Sequence, residues 1–596
     1  MVSGFQVLSG LMDVVGVFSI LPFLSVAANP ELLRSNAMLG ALQNWTGFSD
    51  EHFLVLLGIM CLGTLIFNQA VRLSSGWYGQ FVVTRIWWAL HKRMFRYYLD
   101  QPYIFHLQYS STVLLEKLQV RINAVVAGVI HPVFLLLSSF FSTLFMISLL
   151  VWVEPILTLT LLGVIVVFYM IVYKRIKDKI EFYGAVGPEF SRKSFNLIAE
   201  ALGAIKEIKV RRNSQIYLNL FDPLARRYCD ARVKIQLFSE IPGGIVEVVA
   251  SGGILLVTLI MVSSAGLQQS IPLLGMYALA LRRILPAVQN AYQQSSRILF
   301  HQPSLQVIYE DMEAAIRSPE IIKSVKVGTE RDHCKGTIEL KDLSFSYPGT
   351  SKRVLDSISL KISRGTMIGI AGVSGAGKTT LVDLLLGLFE PESGNILIGG
   401  KVLDEISLPS WQASLGYVPQ VPFIADGTVA RNIGFGIPED QVDLEWVRKV
   451  AWIAQISDFI EFELPKQYET FVGERGVRLS GGQRQRLSIA RALYHDPDVL
   501  ILDEATSALD GINEELVMNS IRMLSKGKTI IIIAHRLSTL KECDNIFLLE
   551  QGRQIAQGSY ANLMETNLTF RRMAKEEDGE KMKKTEKNLE KTIADG

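Results

Sequence analysis

Six apolar stretches in the first half of the chain are each long enough to cross the hydrocarbon layer of a membrane. A layer of roughly 30 Å needs about 20 apolar residues, because a helix rises about 1.5 Å per residue. Lipid offers no hydrogen-bond partners to backbone N–H and C=O groups, so a spanning segment must satisfy them internally, as a helix does. We therefore expect six transmembrane helices. The stretches cover residues 4–28, 53–71, 128–153, 155–173, 243–264 and 272–294.

Basic residues indicate how these helices are oriented. Segment 174–240 contains fourteen Lys and Arg and segment 72–121 contains a further seven, whereas segment 29–52 contains only Arg34. By the positive-inside rule, we expect both basic connections and both ends of the chain in the cytoplasm, with the protein integral to the inner (cytoplasmic) membrane. The helical periodicity of these connections indicates that membrane helices extend into the cytoplasm.

Three charged residues inside the predicted spans are candidates for substrate contact. Asp13 would cost about 2.5–3.5 kcal/mol at the centre of a bilayer, so it should face a cavity or, more simply, polar groups of a neighbouring helix. Arg282 and Arg283 place two cations on the last predicted helix. Two interpretations stay open for them: they bind an anionic headgroup, or they reach the membrane surface as arginines near helix ends often do.

The remainder of the chain has the composition of a soluble α/β domain. It begins with the alternating pattern "GTIELKDLSFSYPG" and the short apolar run "TMIGIAG", which predict an edge strand and a buried strand. We divide the chain into a transmembrane domain over 1–313, a polar linker over 314–335, a nucleotide-binding domain over 336–574 and a charged, disordered tail over 575–596.

A glycine-rich motif directly follows the predicted buried strand. "GVSGAGKT" matches G-x-x-x-x-G-K-[ST] and precedes the apolar helical run "LVDLLLGLF", which is the context of a phosphate loop. Lys378 should reach the β- and γ-phosphates of ATP, and the Thr379 hydroxyl should ligate Mg²⁺. The predicted ATP-binding residues of this loop are Gly372, Ser374, Gly375, Ala376, Gly377, Lys378, Thr379 and Thr380.

The sequence "VLILDEATSALD" supplies the acidic groups that phosphoryl chemistry requires. Four apolar residues predict a buried parallel strand that ends at Asp503, which would hold magnesium. Glu504 follows directly and would polarise the attacking water as the catalytic base. The predicted fold class is therefore a polytopic helical membrane domain of six transmembrane helices followed by an α/β phosphate-loop ATPase domain.

A second glycine-rich turn, "LSGGQ" at Leu479–Gln483, resembles the signature of ATP-binding cassette (ABC) proteins. In that family the nucleotide domains pair head to tail, and this turn contacts the γ-phosphate of ATP on the opposite subunit. The resemblance implies that Ser480, Gly481, Gly482 and Gln483 bind the ATP of a partner chain. It also implies that the working unit is a homodimer.

Other positions match the same family in the same order. Tyr347 resembles the residue that stacks on adenine, and Gln420 resembles the one that senses magnesium and the attacking water. "GERG" at Gly473–Gly476 resembles a stretch specific to exporters. Asp510 closes "SALD", which is similar to the loop that reads the opposite site, and His535 resembles the switch histidine that contacts the γ-phosphate.

The order of the domains is that of an exporter-type half-transporter. The stretches "LMDVVGVFSILPFLSV" and "ALALRRILPAVQNAY" are similar to the PglK-type flippases, which move a lipid-linked oligosaccharide, a polyprenyl pyrophosphate glycan. The resemblance implies a substrate whose pyrophosphate the arginines attract. A multidrug or lipid A exporter is the alternative, and a regulator or channel is a more remote one. A net charge of +2 gives no reason to expect nucleic acid as a partner.

Overall fold

The chain divides into two units in its computed structural model. The first comprises Met1–Gln101 and Phe105–Lys323, and the second comprises Pro102–Ile104 and Ser324–Gly596. The structure describes residues 2–28, 37–184, 186–265, 267–317, 336–350, 352–473, 476–506, 511–525, 527–534 and 536–575.

The described part of the first unit is helical. Two π-helical turns, Lys117–Arg121 and Val126–Ile130, join three of its helices into one continuous run over Ser111–Val153. The helices are α1 Val2–Phe18, α2 Ile20–Ala28, α3 Ala37–Thr46, α4 Asp50–Leu99, α5 Tyr103–Gln108, α6 Ser111–Glu116, α7 Ile122–Val125, α8 His131–Val153, α9 Pro155–Gly184, α10 Val186–Gly203, α11 Ile205–Arg211, α12 Ser214–Ala265 and α13 Leu267–Arg317.

All six predicted spans fall within these helices. Among the described residues, three helical stretches are long and apolar enough to cross a membrane: Gly4–Ala28, Asp50–Leu99 and Ser111–Val153. The total of six crossings stays a prediction. Helix α4 has 50 residues and α12 has 52, so each is about 75 Å long, more than twice the thickness of the hydrocarbon layer. The prediction that membrane helices continue into the basic connections is therefore confirmed.

Helix α8 is central to the packing of this unit, because its most extensive contacts are with α1 and α13. Val17 packs there with buried apolar side chains of the other two helices, including Met146 and Met276. Helix α13 continues to Arg317, four residues into the predicted linker. Near this end, the fully buried Ala315 packs in a second apolar cluster. Residues 318–335 and the end of the predicted tail, 576–596, lie outside the described residues.

The second unit is built on two sheets. A four-stranded antiparallel sheet has the order β2-β1-β4-β5, and a six-stranded sheet has the order β10-β9-β3-β8-β7-β6. In the larger sheet only the β10–β9 pairing is antiparallel. The strands are β1 Ile338–Ser346, β2 Arg353–Ile362, β3 Met367–Gly372, β4 Ser393–Ile398, β5 Lys401–Val402, β6 Leu415–Val418, β7 Val499–Asp503, β8 Thr529–Ile533, β9 Asn545–Glu550 and β10 Arg553–Gly558.

The predicted phosphate loop and Asp503 both lie at the carboxyl ends of parallel strands in the larger sheet. Strands β3, β7 and β8 are buried along their whole length, as parallel strands covered on both faces require. The phosphate loop follows the carboxyl end of β3, and Asp503 ends β7, with β8 between them. The helices of this unit are α14 Lys378–Leu385, α15 Leu408–Ala413, α16 Val429–Ile433, α17 Leu444–Ile453, α18 Gly481–Tyr494, α19 Gly511–Ser525 and α20 Tyr560–Thr566.

Candidate functional site

The phosphate loop forms a tight turn between β3 and α14. Gly375 and Gly377 have φ values of +78° and +97°, a region that side chains other than glycine rarely adopt. A Cβ at Gly377 would also lie only 2.7 Å from Leu355. The loop can therefore bend back and present its backbone N–H groups to an anion at the start of the helix.

Lys378 places a cation inside this loop. Its side chain is 7% exposed, and its ammonium donates hydrogen bonds to the carbonyl oxygens of Gly372 at 2.6 Å and Val373 at 3.2 Å. Burial lowers the pKa of Lys378, although the carboxylates of Glu504 and Asp503 act in the opposite direction. An anion bound in the loop would stabilise the charged ammonium, which is what a phosphate site requires.

Carboxylates face the same region from β7 and α14. Asp503 is 6% exposed, and burial, then the charge of Glu504, raises its pKa, while a hydrogen bond from Tyr417 lowers it. Burial and the charge of Asp503 also raise the pKa of Asp383 to about 6. A bound cation would stabilise the ionised form of these buried carboxylates, whose pKa values are raised. The donor set therefore fits Mg²⁺, an ion that prefers oxygen ligands and retains several waters.

Gln420 and Glu504 form a direct pair. The Gln420 amide donates a 2.5 Å hydrogen bond to a carboxylate oxygen of Glu504. Glu504 has a left-handed backbone with φ of +49°, and its N–H donates to the carbonyl oxygen of Ile533 on β8 at 2.9 Å. Both predicted roles require proximity to the attacking water, and the structure brings the two side chains together.

Tyr347 lies beside the phosphate loop. Its hydroxyl is 3.1 Å from the Thr380 hydroxyl in the first turn of α14. Its ring meets Phe345 and Phe389 edge to face, with centroids 5.2 Å and 5.7 Å away. These contacts hold the ring beside the first turn of α14, while stacking on adenine stays a prediction.

The "LSGGQ" turn forms the start of α18. The Ser480 hydroxyl accepts the backbone N–H of Gln483 at 3.2 Å, and the Gln483 side chain accepts the backbone N–H of Ser480 at 2.7 Å. This reciprocal cap is worth about 1 kcal/mol. The N–H groups of Gly481 and Gly482 have no acceptor within the helix itself, as at every helix start, and are suited to an anion.

The contacts of two residues, Gln485 and Glu514, could not be inferred from motif matching. The buried Gln485 of α18 donates to the backbone carbonyl of Glu504 at 3.4 Å, which links the signature helix to the end of β7. Glu514 of α19 accepts hydrogen bonds from the Thr506 hydroxyl at 3.0 Å and the Thr539 hydroxyl at 2.8 Å, and pairs with Arg536 at 3.4 Å. In the sequence, Thr506 and Glu514 lie on either side of Asp510, and Arg536 directly follows His535. Asp510 and His535 are predicted site residues that lie outside the described residues.

Asp13 makes polar contacts between helices in the first unit. The residue is 6% exposed. One carboxylate oxygen accepts a hydrogen bond from Asn68 of α4 at 3.2 Å and lies 3.3 Å from the guanidinium of Arg283 on α13. The other oxygen accepts the Ser142 hydroxyl of α8 at 2.8 Å. The prediction that Asp13 faces helix partners or a cavity is confirmed.

Asp13, Arg282 and Arg283 line one cavity of about 480 Å³ among α1, α2, α4, α8 and α13. Arg72 lines it as well, and was not singled out as a site residue from the sequence. Asn68 and Arg72 are four residues apart on α4, so a helical-face argument could have found them. The polar lining residues are Ser9, Asp13, Asn68, Gln69, Arg72, Ser138, Ser139, Ser142, Arg282, Arg283 and Asn290.

A helical unit of membrane-spanning length followed by a phosphate-loop α/β unit with a second glycine-rich turn defines a membrane transporter that contains its own ATPase domain. Residues 16–278 match the model of the ABC transporter transmembrane region, and residues 355–507 match the ABC transporter model. The chain belongs to the ABC transporter family. Its predicted fold class, a helical membrane domain followed by an α/β phosphate-loop ATPase domain, and its assignment as a transport ATPase that binds ATP are confirmed, while the number of six membrane helices stays a prediction.

Two relatives and one solved structure indicate its place in that family. The chain is 32% identical to the heterocyst differentiation ATP-binding protein HepA of Nostoc sp., covering 80% of this chain and 76% of that protein. It is 30% identical to the ATP-dependent lipid A-core flippase of Methylococcus capsulatus, covering 87% and 84%. A bacterial Atm1-family ABC exporter with ATP bound has the same fold, with a TM-score of 0.74 at 23% identity over 95% of this chain and 96% of that one.

Proposed function

We propose that two copies of this chain form an ATP-driven flippase for an anionic, amphipathic lipid. The observation that supports this most directly is the cavity that contains Arg72, Arg282 and Arg283 within the helical unit. Cations inside a membrane are costly and usually mark a substrate pathway. Three of them in one cavity favour a ligand with a phosphate-containing headgroup.

We propose that each ATP lies between two copies. Tyr347 stacks on adenine, and Lys378 contacts the β- and γ-phosphates within the loop of one copy. Residues 480–483 of the second copy cover the γ-phosphate with the N–H groups at the start of α18. Asp510 and His535 would contact the same region, as the family resemblance implies. Neither glycine-rich turn encloses the nucleotide alone, which is why the homodimer is the working unit.

The hydrolytic step depends on the pair at the end of β7. Glu504 takes a proton from the attacking water, while its hydrogen bond with Gln420 orients the carboxylate. Thr379, Gln420 and Asp503 would hold Mg²⁺. When bound, that ion neutralises charge on the phosphate oxygens. Hydrolysis then separates the two ATPase domains, and the membrane halves alternate between inward and outward openings.

The substrate has two candidates of similar chemistry. A lipid-linked oligosaccharide contains a pyrophosphate, and the resemblance of the membrane half favours it. Lipid A with its core is favoured by several relatives that are ATP-dependent lipid A-core flippases. Both are amphipathic and anionic, which fits the cationic cavity, whereas a neutral multidrug substrate would gain nothing from it. We place the protein in the inner membrane with the ATPase domain in the cytoplasm.

The test is lipid movement in vesicles that contain the purified chain. A fluorescent lipid-linked oligosaccharide and a fluorescent lipid A are reconstituted separately, and their accessibility to a quencher is followed with ATP. Movement of one lipid with wild type but not with Glu504→Gln identifies the substrate. Movement of neither lipid, with ATPase activity intact and stimulated by neutral drugs, would refute the flippase proposal.

A further inference from the structure

We infer that Asp13 is a counter-ion of Arg283 that competes with the lipid headgroup for this arginine. Asp13 thereby lowers the affinity of the cavity for its substrate. The inference rests on the proposed function, because it concerns the affinity of the same cavity for an anionic lipid. Its starting point is the ion pair between Asp13 and Arg283, whose atoms are 3.3 Å apart.

The position of Asp13 is fixed by three different helices. Asn68 of α4 and Ser142 of α8 each donate a hydrogen bond to it, and Arg283 reaches it from α13. The Asp13 side chain is 8% exposed and that of Arg283 is 27% exposed. The carboxylate therefore stays in place, while the guanidinium retains a surface that faces the cavity.

The charges of the lining determine what the carboxylate does to a bound anion. The cavity contains Arg72, Arg282 and Arg283 against Asp13, which leaves two net positive charges. A phosphate that approaches Arg283 meets a cation already shared with a carboxylate, and it also experiences repulsion from Asp13. A transporter must release its ligand after each cycle, so a fixed repulsive charge beside the attractive ones favours release.

Electrostatics predicts a signature that a structural role would not give. Removing one negative charge from the cavity strengthens binding in proportion to the charge of the ligand, on the order of tenfold for each negative charge at the distances of a small cavity. A purely structural effect of the same substitution would change the affinity for charged and uncharged lipids alike.

The experiment measures dissociation constants of the full-length protein in phosphatidylcholine nanodiscs. The ligands are polyprenol, polyprenyl phosphate and polyprenyl pyrophosphate, which share a chain and differ in headgroup charge. Lipid A forms a separate arm that distinguishes phosphates on a sugar from a pyrophosphate. For Asp13→Asn we expect no change with polyprenol, tighter binding of the phosphate and a larger gain for the pyrophosphate. The concentration of anionic lipid that half-stimulates ATPase activity should fall, and maximal transport should slow.

Two further variants keep the inference testable if Asp13→Asn folds poorly. Ser142→Ala removes a hydrogen bond to the same carboxylate but no charge, so its effect should not depend on the headgroup. Arg283→Gln should weaken binding of the anionic lipids, and the double variant with Asp13→Asn restores the net charge and should return their affinity close to that of wild type.

The outcomes separate the inference from the function on which it rests. If the wild type prefers the pyrophosphate and Asp13→Asn shifts all three polyprenyl ligands equally, the counter-ion role is wrong while the flippase proposal stands. The same holds if the double variant binds the anionic lipids no better than Arg283→Gln. If the wild type binds polyprenol as tightly as the charged lipids, the proposed function fails and the inference fails with it.

Discussion

Replacing Glu504 by Gln should leave ATP binding nearly unchanged and almost abolish hydrolysis. Glutamine has the same length, so its side chain can still form a hydrogen bond with Gln420, and the backbone N–H of residue 504 can still donate to Ile533. The left-handed backbone at this position already accommodates a side chain. What disappears is the carboxylate that takes a proton from the attacking water.

The expected size of this effect follows from the role of a general base. Loss of a positioned base slows a reaction by about 10²- to 10⁴-fold, which corresponds to about 2.7–5.4 kcal/mol of transition-state stabilisation. Phosphate release measures the rate, and a fluorescent ATP analogue measures affinity. The matched control is Glu515→Gln, because Glu515 is an exposed carboxylate of α19 away from the pair. A Glu504→Gln rate above a tenth of the wild-type value would refute the assignment of the base.

Three other predictions concern stability and the loops around the ATP site. The pKa of Asp383 is raised from 3.8 to about 6, so its ionisation destabilises the native state as the pH rises through that range. Asp383→Asn should therefore raise the melting temperature measured without magnesium at about pH 8. The same substitution should have little effect on the melting temperature below about pH 4. A Cβ at Gly128 would overlap the ring of His301. Gly128→Ala should therefore lower the free energy of unfolding, measured for the protein in detergent solution, by about 1–3 kcal/mol. A melting curve like that of wild type would contradict this packing. Glu514→Gln should lower maximal ATPase activity more than Glu515→Gln, because Glu514 accepts hydrogen bonds from both Thr506 and Thr539 and so connects the segment after β7 to the segment after β8. Equal activities would argue against that positioning role.

The nucleotide site was largely predictable because its motifs determine local geometry. A strand, five residues with glycines and a helix can form only a few turns, so the positions of Lys378 and Thr379 at the start of the helix follow from spacing alone. Asp503 ends a buried strand for the same reason. The pairing of Gln420 with Glu504 was not predictable in this way, because 84 residues separate the two side chains and only the parallel order of β6, β7 and β8 brings them together.

The membrane cavity was predictable only in part. Hydropathy shows that Asp13 and Arg283 are costly in lipid. It does not show that the two residues, 270 positions apart in the sequence, form an ion pair that lowers this cost. Arg72 lies at the end of an apolar stretch, where a surface position is the ordinary expectation, and only the packing of α4 places it on the cavity. The burial of Ala315 near the end of α13 likewise depends on packing against residues distant in the sequence.

The most direct test of the central claim measures lipid movement and phosphate release in the same vesicles. The assay uses the lipid that wild type moves and compares three proteins: wild type, the double variant Arg282→Gln with Arg283→Gln, and Arg297→Gln. Arg297 is the control, because it is on the same helix but does not line the cavity. The account predicts that the double variant still hydrolyses ATP in the absence of lipid but moves no lipid, whereas Arg297→Gln does both. Normal lipid movement by the double variant would contradict it.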